Sequence, residues 1–584
     1  MIININSIES TIEIFYENYV HIHGFLKLID DSETRKVIIV VQVHDEKTIS
    51  DYITTRQKLR NVKMTDYIKA ELESELQYVI QGRPILCVVQ DLDKQGNIVK
   101  EEVYDRNVFF KIEDLMQKGE LKPHTMEVPD NQRDKAKFLE HIFKPNGLFM
   151  GNLSSEESVD VYFPAEYLMY HFFIAGATGA GKSNLNQVII DGLIQHNANV
   201  LLDGKGTKIS MLAIDMHDEY ANGCVEYGVH DICKEVQFNK ELMGDWYYLY
   251  PNKGVPPANL TSLAQPCIIN YQEIKPEDLF ATGSFNELQA SVVYSAYNTD
   301  PDNYIDNLTS SNCDPPGGHN KKTIAAVQRR LHWLEYSNMF QSHASSKLSK
   351  IVKKLESGGL IIFNVSMISD LEQFLFNSVL ARTLFDIRKT LKSTSEFPSF
   401  KAKLERTLPN GFFQNYESEL KNIYIKSGKE IKDPTDMPII IFTIEEAPTI
   451  LRPEMMRFNN VFKDISRQGR KFNLALEVIS QQYSPIDDTI LSNMNTVINL
   501  PIRSNKEKTE AARTLGGGIE LSDLESLTGT RGIALISGIW LTTFQKLKIP
   551  LYDEYFEHVS KKFYQDFNQK IKSQSVSPPP TKLP

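Results

Sequence analysis

The sequence predicts an α/β core built on a mostly parallel sheet, interrupted by a large helical insertion and preceded by an N-terminal all-β domain read as a β-barrel. Two observations carry the core: apolar runs of strand length alternate with helical stretches from Tyr170 onward, and a glycine-rich loop joins one such strand to one such helix. A third observation carries the N-terminal domain, where short apolar runs dominate up to Pro164. At 584 residues the chain exceeds one compact core. A prior of about 100 to 200 residues per domain gives three or four units.

In chain order, residues 20–28, 36–43, 85–90, 103–110 and 159–163 read as strands. Residues 65–80 read as a helix, because Tyr67, Ile68, Leu72, Leu76 and Val79 recur at three- and four-residue spacing. Residues 1–165 therefore form the expected N-terminal domain. The core is expected over 166–550, with strands at 170–175, 211–214, 359–365, 438–444, 474–480 and 532–537. A helix at 183–196 follows the first of these, and residues 199–202 stand out as an extra apolar stretch. Helical patterns at 285–297, 322–336 and 346–355 place an insertion at about 275–356, with a further helix at 371–391. Residues 394–436 read as extra material. Beyond them, 551–584 should hold a C-terminal helix and a disordered tail over 573–584, which is proline-rich.

Composition narrows the class. Hydrophobic residues at 41% and charged residues at 24% suit a folded globular protein rather than a disordered one. The longest apolar runs, 37–43 and 439–442, are far shorter than a bilayer requires, so no membrane span is expected. Glu9, Glu13 and Glu17 near the start oppose a secretory signal, and a cytoplasmic location follows as the expectation. Cys87, Cys224, Cys233, Cys267 and Cys313 are scattered without metal-ligand spacing and read as reduced. A net charge of -11 opposes general affinity for nucleic acid, so any DNA contact needs a local basic surface.

The loop Gly176-Ala177-Thr178-Gly179-Ala180-Gly181-Lys182-Ser183, followed by Asn184, fits the phosphate-binding pattern GxxxxGK[ST]. Its glycines let backbone N–H groups close around phosphates; Lys182 reaches the β and γ phosphates of ATP, and Ser183 holds Mg2+. Such a site needs a carboxylate on the metal and a second one to activate water. Glu445 and Glu446, at the end of the strand 438–444, supply both, Glu445 for the metal and Glu446 as general base. Asp215, with His217 and Glu219, ends the strand 211–214 and is a further candidate for metal or water. Gln481, after the strand 474–480, has the place of a water-orienting or γ-phosphate-sensing amide. Arg467 and Arg470 fall in a basic cluster before that strand, and one of them is expected to complete a neighbouring subunit's site.

These segments, in this order, together with residues 146–151 and Gly529-Thr530-Arg531-Gly532, resemble the HerA branch of the HerA-FtsK superfamily. The resemblance implies a RecA-like P-loop core behind a HAS-barrel-like domain. It also implies a homo-hexameric ring that hydrolyses ATP with Mg2+ and acts on double-stranded DNA beside a nuclease. Some relatives work in antiphage systems beside effectors such as sirtuin-like NADases. Two readings follow: a motor or helicase on duplex DNA, or a nucleotide-controlled ring scaffold that regulates an effector. A conjugation-type pump fits less well, since those carry membrane anchors.

Overall fold

The computed structural model describes residues 3–6, 10–16, 20, 24–48, 78–122, 126–129, 135–143, 147–252, 254–283, 285–315, 317–426, 430–431, 437–456, 460–515, 519–541 and 543–576. The chain divides into two units: Met1–Pro145 with Phe149–Tyr162 and Leu535–Ile549, and Asn146–Leu148 with Phe163–Ala534 and Pro550–Pro584. A linear boundary at 165 does not anticipate the return of residues 535–549 to the first unit.

In the first unit, β1 (Ile3–Asn6), β2 (Thr11–Tyr16), β3 (Phe25–Asp31), β4 (Arg35–Thr48), β5 (Tyr78–Leu92) and β6 (Ile98–Tyr104) form one antiparallel sheet. Its path is β1-β2-β5-β4-β3, with β6 on β5. The two ends of the path do not pair with each other among the described residues, which show a six-stranded antiparallel sheet and no closure into the barrel that the sequence predicts. Val37, Ile39, Val41 and Val43 alternate onto the core with Leu26, Leu28 and Cys87, the pattern a one-sided sheet demands.

Helix α1 (Val108–Gln117) covers that core through Val108, Ile112 and Leu115. The expected strand 103–110 is thus two elements: β6 stops at Tyr104, Asn107 turns the backbone into the left-handed region (φ 51°), and α1 begins. One continuous apolar run conceals the switch, because period alone cannot separate a short strand from a helix start. Of the expected helix 65–80, residues 65–77 lie outside the described residues and 78–80 begin β5. The unit is completed by β7 (Leu148–Leu153), β8 (Glu156–Phe163) and the strand Gln545–Lys548, which pairs antiparallel with β7.

The second unit is built on β9 (Phe172–Ala175), β10 (Ile209–Asp215), β11 (Tyr248–Pro251) and β12 (Ala264–Cys267). The two-residue parallel ladder of β13 (Ile269–Asn270) with β14 (Phe340–Gln341) joins the residues just before the insertion to its interior. Then come β15 (Leu360–Asn364), the small pair β16 (Ile425–Lys426) and β17 (Glu430–Ile431), β18 (Ile439–Ile444), β19 (Leu474–Ser480) and β20 (Thr496–Asn499). The order is β12-β11-β15-β10-β18-β19-β9-β20, and every pairing along it is parallel. Every residue of β10, β18 and β19 is buried, as strands covered on both faces must be. Sequence pattern misses β11, β12 and β20, which are four residues each, the first two carrying a proline.

Helix α2 (Lys182–Asp203) follows β9 and ends at Gly204 in the left-handed conformation (φ 61°). Residues 199–202, read as an extra apolar stretch, are its last turn. Helix α3 (Asp370–Lys392) is capped by Ser369 and Glu372 in a reciprocal box. Its Arg382 donates from Nε to both oxygens of Asp278 at 2.8 and 2.9 Å, tying the insertion to the core. The segment 394–436 contributes the helices Phe397–Thr407 and Asn410–Tyr424. Helix α4 (Val461–Gln468) precedes β19 and α5 (Lys561–Val576) is the last element. Helix α5 carries 573–576, which were expected to be disordered; 577–584 lie outside the described residues.

Candidate functional site

Ligands of an open parallel sheet bind beyond the carboxyl ends of its strands. Here the ends of the neighbouring strands β10, β18, β19 and β9 carry Asp215, Glu445 with Glu446, Gln481 and the glycine loop, respectively. Adjacent strands lie about 4.8 Å apart, so these groups share one crevice. Sequence order scatters them over more than 300 positions, as the 303-residue separation of Thr178 and Gln481 shows. The topology brings them side by side.

The loop is pinned from two sides: the Gly176 N–H donates to Ser480 O at 3.2 Å and the Ala177 N–H to Pro501 O at 2.9 Å. A Cβ at Gly176 would stand 2.8 Å from the Leu500 Cβ, so only glycine fits there. Gly179 (φ 74°) and Gly181 (φ 103°) are left-handed, and a Cβ on either would meet nothing within 4 Å, which leaves an open cradle. Lys182 folds back, its Nζ donating to the carbonyls of Gly176 (2.9 Å) and Ala177 (3.2 Å). Burial lowers the pKa of its ammonium, while Glu446 and Glu445 hold it up. Ser183 is half-buried beside it.

Gln481 joins two of the other groups. Its Oε1 accepts from the Thr178 hydroxyl at 2.7 Å and its Nε2 donates to Glu446 Oε1 at 2.9 Å. Glu446 itself is left-handed (φ 48°, ψ 46°) at the start of the helix Ala447–Ile450. A non-glycine residue held there costs about 1 kcal/mol or more, a cost that concentrates at functional positions.

Glu445 lies deeper. Burial pushes its carboxyl up to about 8, opposed by the Tyr220 hydroxyl, which donates to Oε1, and raised further by Asp215 and Glu477. Asp215 is raised to about 6 by burial, against N–H donors from Tyr220 (3.0 Å) and Glu219 (2.9 Å). Its carboxylate therefore shapes the turn 215–220 as well as facing the acidic strand end. His217 is exposed. Asn184 faces away from the phosphate loop: its Nδ2 donates to Pro550 O at 2.8 Å and its Oδ1 accepts from the Tyr552 N–H at 2.9 Å.

The two arginines separate. Arg470 lays its guanidinium 4.2 Å from the Tyr170 ring centroid of its own chain. Arg467, in the last turn of α4, is exposed and forms no ion pair among the described residues. A buried histidine lies against this arm. His171 (φ 64°) is buried, accepts from the Leu476 N–H at Nδ1 (3.0 Å), and is lowered by burial to about 4, so it stays neutral. A Cβ on Gly469 would meet its ring at 3.1 Å. Left-handed backbone at a histidine leaves no trace in apolar periodicity.

Residues 148–384 match the family described as helicase HerA, central domain, which spans the phosphate loop and Asp215 and ends before Glu445. The chain is 23% identical over 374 residues to the DNA double-strand break repair helicase HerA of Saccharolobus solfataricus, covering 63% of this chain and 62% of that protein. It is 22% identical over 485 residues to the protein of the same name from Pyrococcus furiosus (77% and 76%). A "Probable DNA double-strand break repair helicase HerA" of Methanocaldococcus jannaschii is 22% identical over 557 residues (87% and 94%). Among solved structures, the bacterial conjugative coupling protein TrwB aligns at 11% identity with a TM-score of 0.43, over 71% of this chain and 92% of that one.

Proposed function

We propose that this chain, a HerA-type ATPase, is a motor on double-stranded DNA that works as a ring of six beside a nuclease or other effector. The observation that carries the reading is the linkage Thr178–Gln481–Glu446, which joins the phosphate loop to the general-base candidate through one amide. An amide in that place reports whether a phosphate occupies the loop. The donor set fits ATP with Mg2+: an open glycine cradle, a lysine resting on carbonyls it can leave, a half-buried serine hydroxyl and a carboxyl at Glu445. Bound Mg2+ would neutralise phosphate charge, with Ser183 and Glu445 holding it and Asp215 close by.

Arg467 supports the ring. An exposed arginine that forms no ion pair among the described residues, in the helix just before β19, suits a role in a neighbouring subunit's site, where its planar fork meets two phosphate oxygens. The N-terminal domain, residues 1 to about 165, carries no phosphate-binding loop and serves as the docking site for the effector.

The test is ATP turnover with and without duplex DNA. The motor reading expects duplex to raise turnover several-fold. A second reading draws on the acidic balance of -11: a ring scaffold whose nucleotide state regulates an effector, such as a nuclease or sirtuin-like NADase, in antiphage defence. Turnover indifferent to duplex, combined with effector activity that follows ATP, replaces the motor with the scaffold.

A further inference from the structure

The chain carries -11 overall, yet residues 321–356 hold eight lysines and arginines against two glutamates, a local +6. Much of this charge stands on one helix of the insertion, Lys321–Leu331 (KKTIAAVQRRL), which contains no acid. Ile324, Val327 and Leu331 bury one face of it against the helices Glu287–Thr299 and Tyr304–Thr309. At about 100° per residue, Lys322 and Arg329 project within roughly 20° of the opposite pole, and Lys321 and Arg330 flank them. All four are exposed, and none is in an ion pair among the described residues. The cations that hold the insertion together behave differently: Arg382 is buried on Asp278, and Lys275 lies against Asp386 at 3.5 Å.

We infer that this helix face grips the phosphate backbone of duplex DNA, an assignment that rests on the motor reading above. Four unpaired cations on an otherwise acidic chain form the local basic surface that phosphate contact requires. Between Lys322 and Arg329 the outward positions are Ala325 and Ala326, so nothing long separates the helix from what it touches. Seven residues at 1.5 Å rise set the two cations about 10 Å apart. That span equals about three phosphate spacings of 3.4 Å along one strand of the duplex, so both cations can meet the same backbone. Contacts of this kind position a protein on DNA without reading sequence.

The test measures binding of the full chain to a short fluorescent duplex by anisotropy across a salt series. Lys322→Glu with Arg329→Glu is compared with Lys562→Glu and Lys570→Glu, an exposed pair on α5 that changes total charge equally. The first pair should weaken binding at least tenfold, and the second by no more than about twofold, since distant charges are screened. Lys322→Ala with Arg329→Ala should lower the slope of log affinity against log salt by about 1.8, at 0.9 per lost phosphate contact. Turnover without DNA should match wild type in every variant. If wild type binds duplex and both glutamate pairs bind it equally, the helix is not the contact and the motor reading survives. If wild type binds no duplex at any salt, the motor reading itself falls and the assignment with it.

Discussion

The first turn of helix α2 and its middle, around Asp191, make contacts of opposite character. At its N-terminus Lys182 and Ser183 are half-buried, and the lysine rests on carbonyls of its own loop. Nine residues after Lys182, Asp191 is fully buried and accepts from the hydroxyls of Ser560 (2.6 Å), Tyr564 (2.6 Å) and Tyr552 (3.2 Å) and from Gln195 Nε2 (3.1 Å). Burial raises its pKa and these donors oppose the shift. Asn184 stands between these two positions, fastened to Pro550 and Tyr552. The front contacts are water-accessible and replaceable by a phosphate, whereas the back contacts have no solvent substitute. The C-terminal segment therefore fastens the middle of the helix, while the contacts of its first turn stay open to replacement.

The largest effect should come from a residue outside both sets. Arg467→Ala should cost about 1000-fold in turnover with ATP binding little changed, if it acts as an arginine finger. Mixing it with Lys182→Ala should restore partial activity, because some sites then pair an intact loop with an intact neighbouring arginine. Freely exchanging subunits with no activity at any ratio would place Arg467 in its own subunit's site. Arg470→Ala should cost far less, since its guanidinium is already stacked on Tyr170.

Next comes Glu446→Gln, expected to lose about 100-fold or more in turnover while still binding ATP. The amide keeps the shape and the contact with Gln481 but accepts no proton from water. Wild-type turnover would transfer the role to Glu445 or Asp215.

At the back of the helix the expected effect is on stability. Asp191→Ala strands several buried hydroxyls, each costing about 1 to 3 kcal/mol, so the denaturation midpoint of the ATPase should fall by an amount worth about 3 kcal/mol. Turnover per folded molecule should hold. A collapse in turnover with an unchanged midpoint would mean that Asp191 takes part in the chemistry, and the contrast with the first turn would dissolve.

The same contrast explains what the sequence disclosed. The phosphate loop, the acidic strand end and Gln481 were legible because backbone geometry and phosphate chemistry prescribe residue types at fixed spacing. The strands β10, β15, β18 and β19 were legible as apolar runs. Asp191 and its partners were not, because Tyr552, Ser560 and Tyr564 lie more than 360 residues away and fit an ordinary amphipathic helix. Nor was β20, whose four residues Thr496–Asn499 lead to the carbonyl that pins Ala177. Which strands of the N-terminal sheet pair was likewise out of reach, since alternation specifies which face is buried and says nothing of which strands meet.

The smallest effect tests whether the front contacts are exchanged during the reaction. In the structure the Thr178 hydroxyl and the Glu446 carboxylate share Gln481, and the lysine that should face phosphates faces loop carbonyls. An arrangement that phosphates must displace stabilises the free enzyme and not the transition state. Removing one of its bonds should therefore favour ATP binding and leave the chemical step alone. Thr178→Val keeps the branched shape and deletes the donor. A typical hydrogen bond contributes about 1 kcal/mol, so KM for ATP should fall by about fivefold with kcat unchanged. If kcat falls instead while KM holds, the Thr178 bond persists into the transition state, and Gln481 is held in place by the loop rather than released from it.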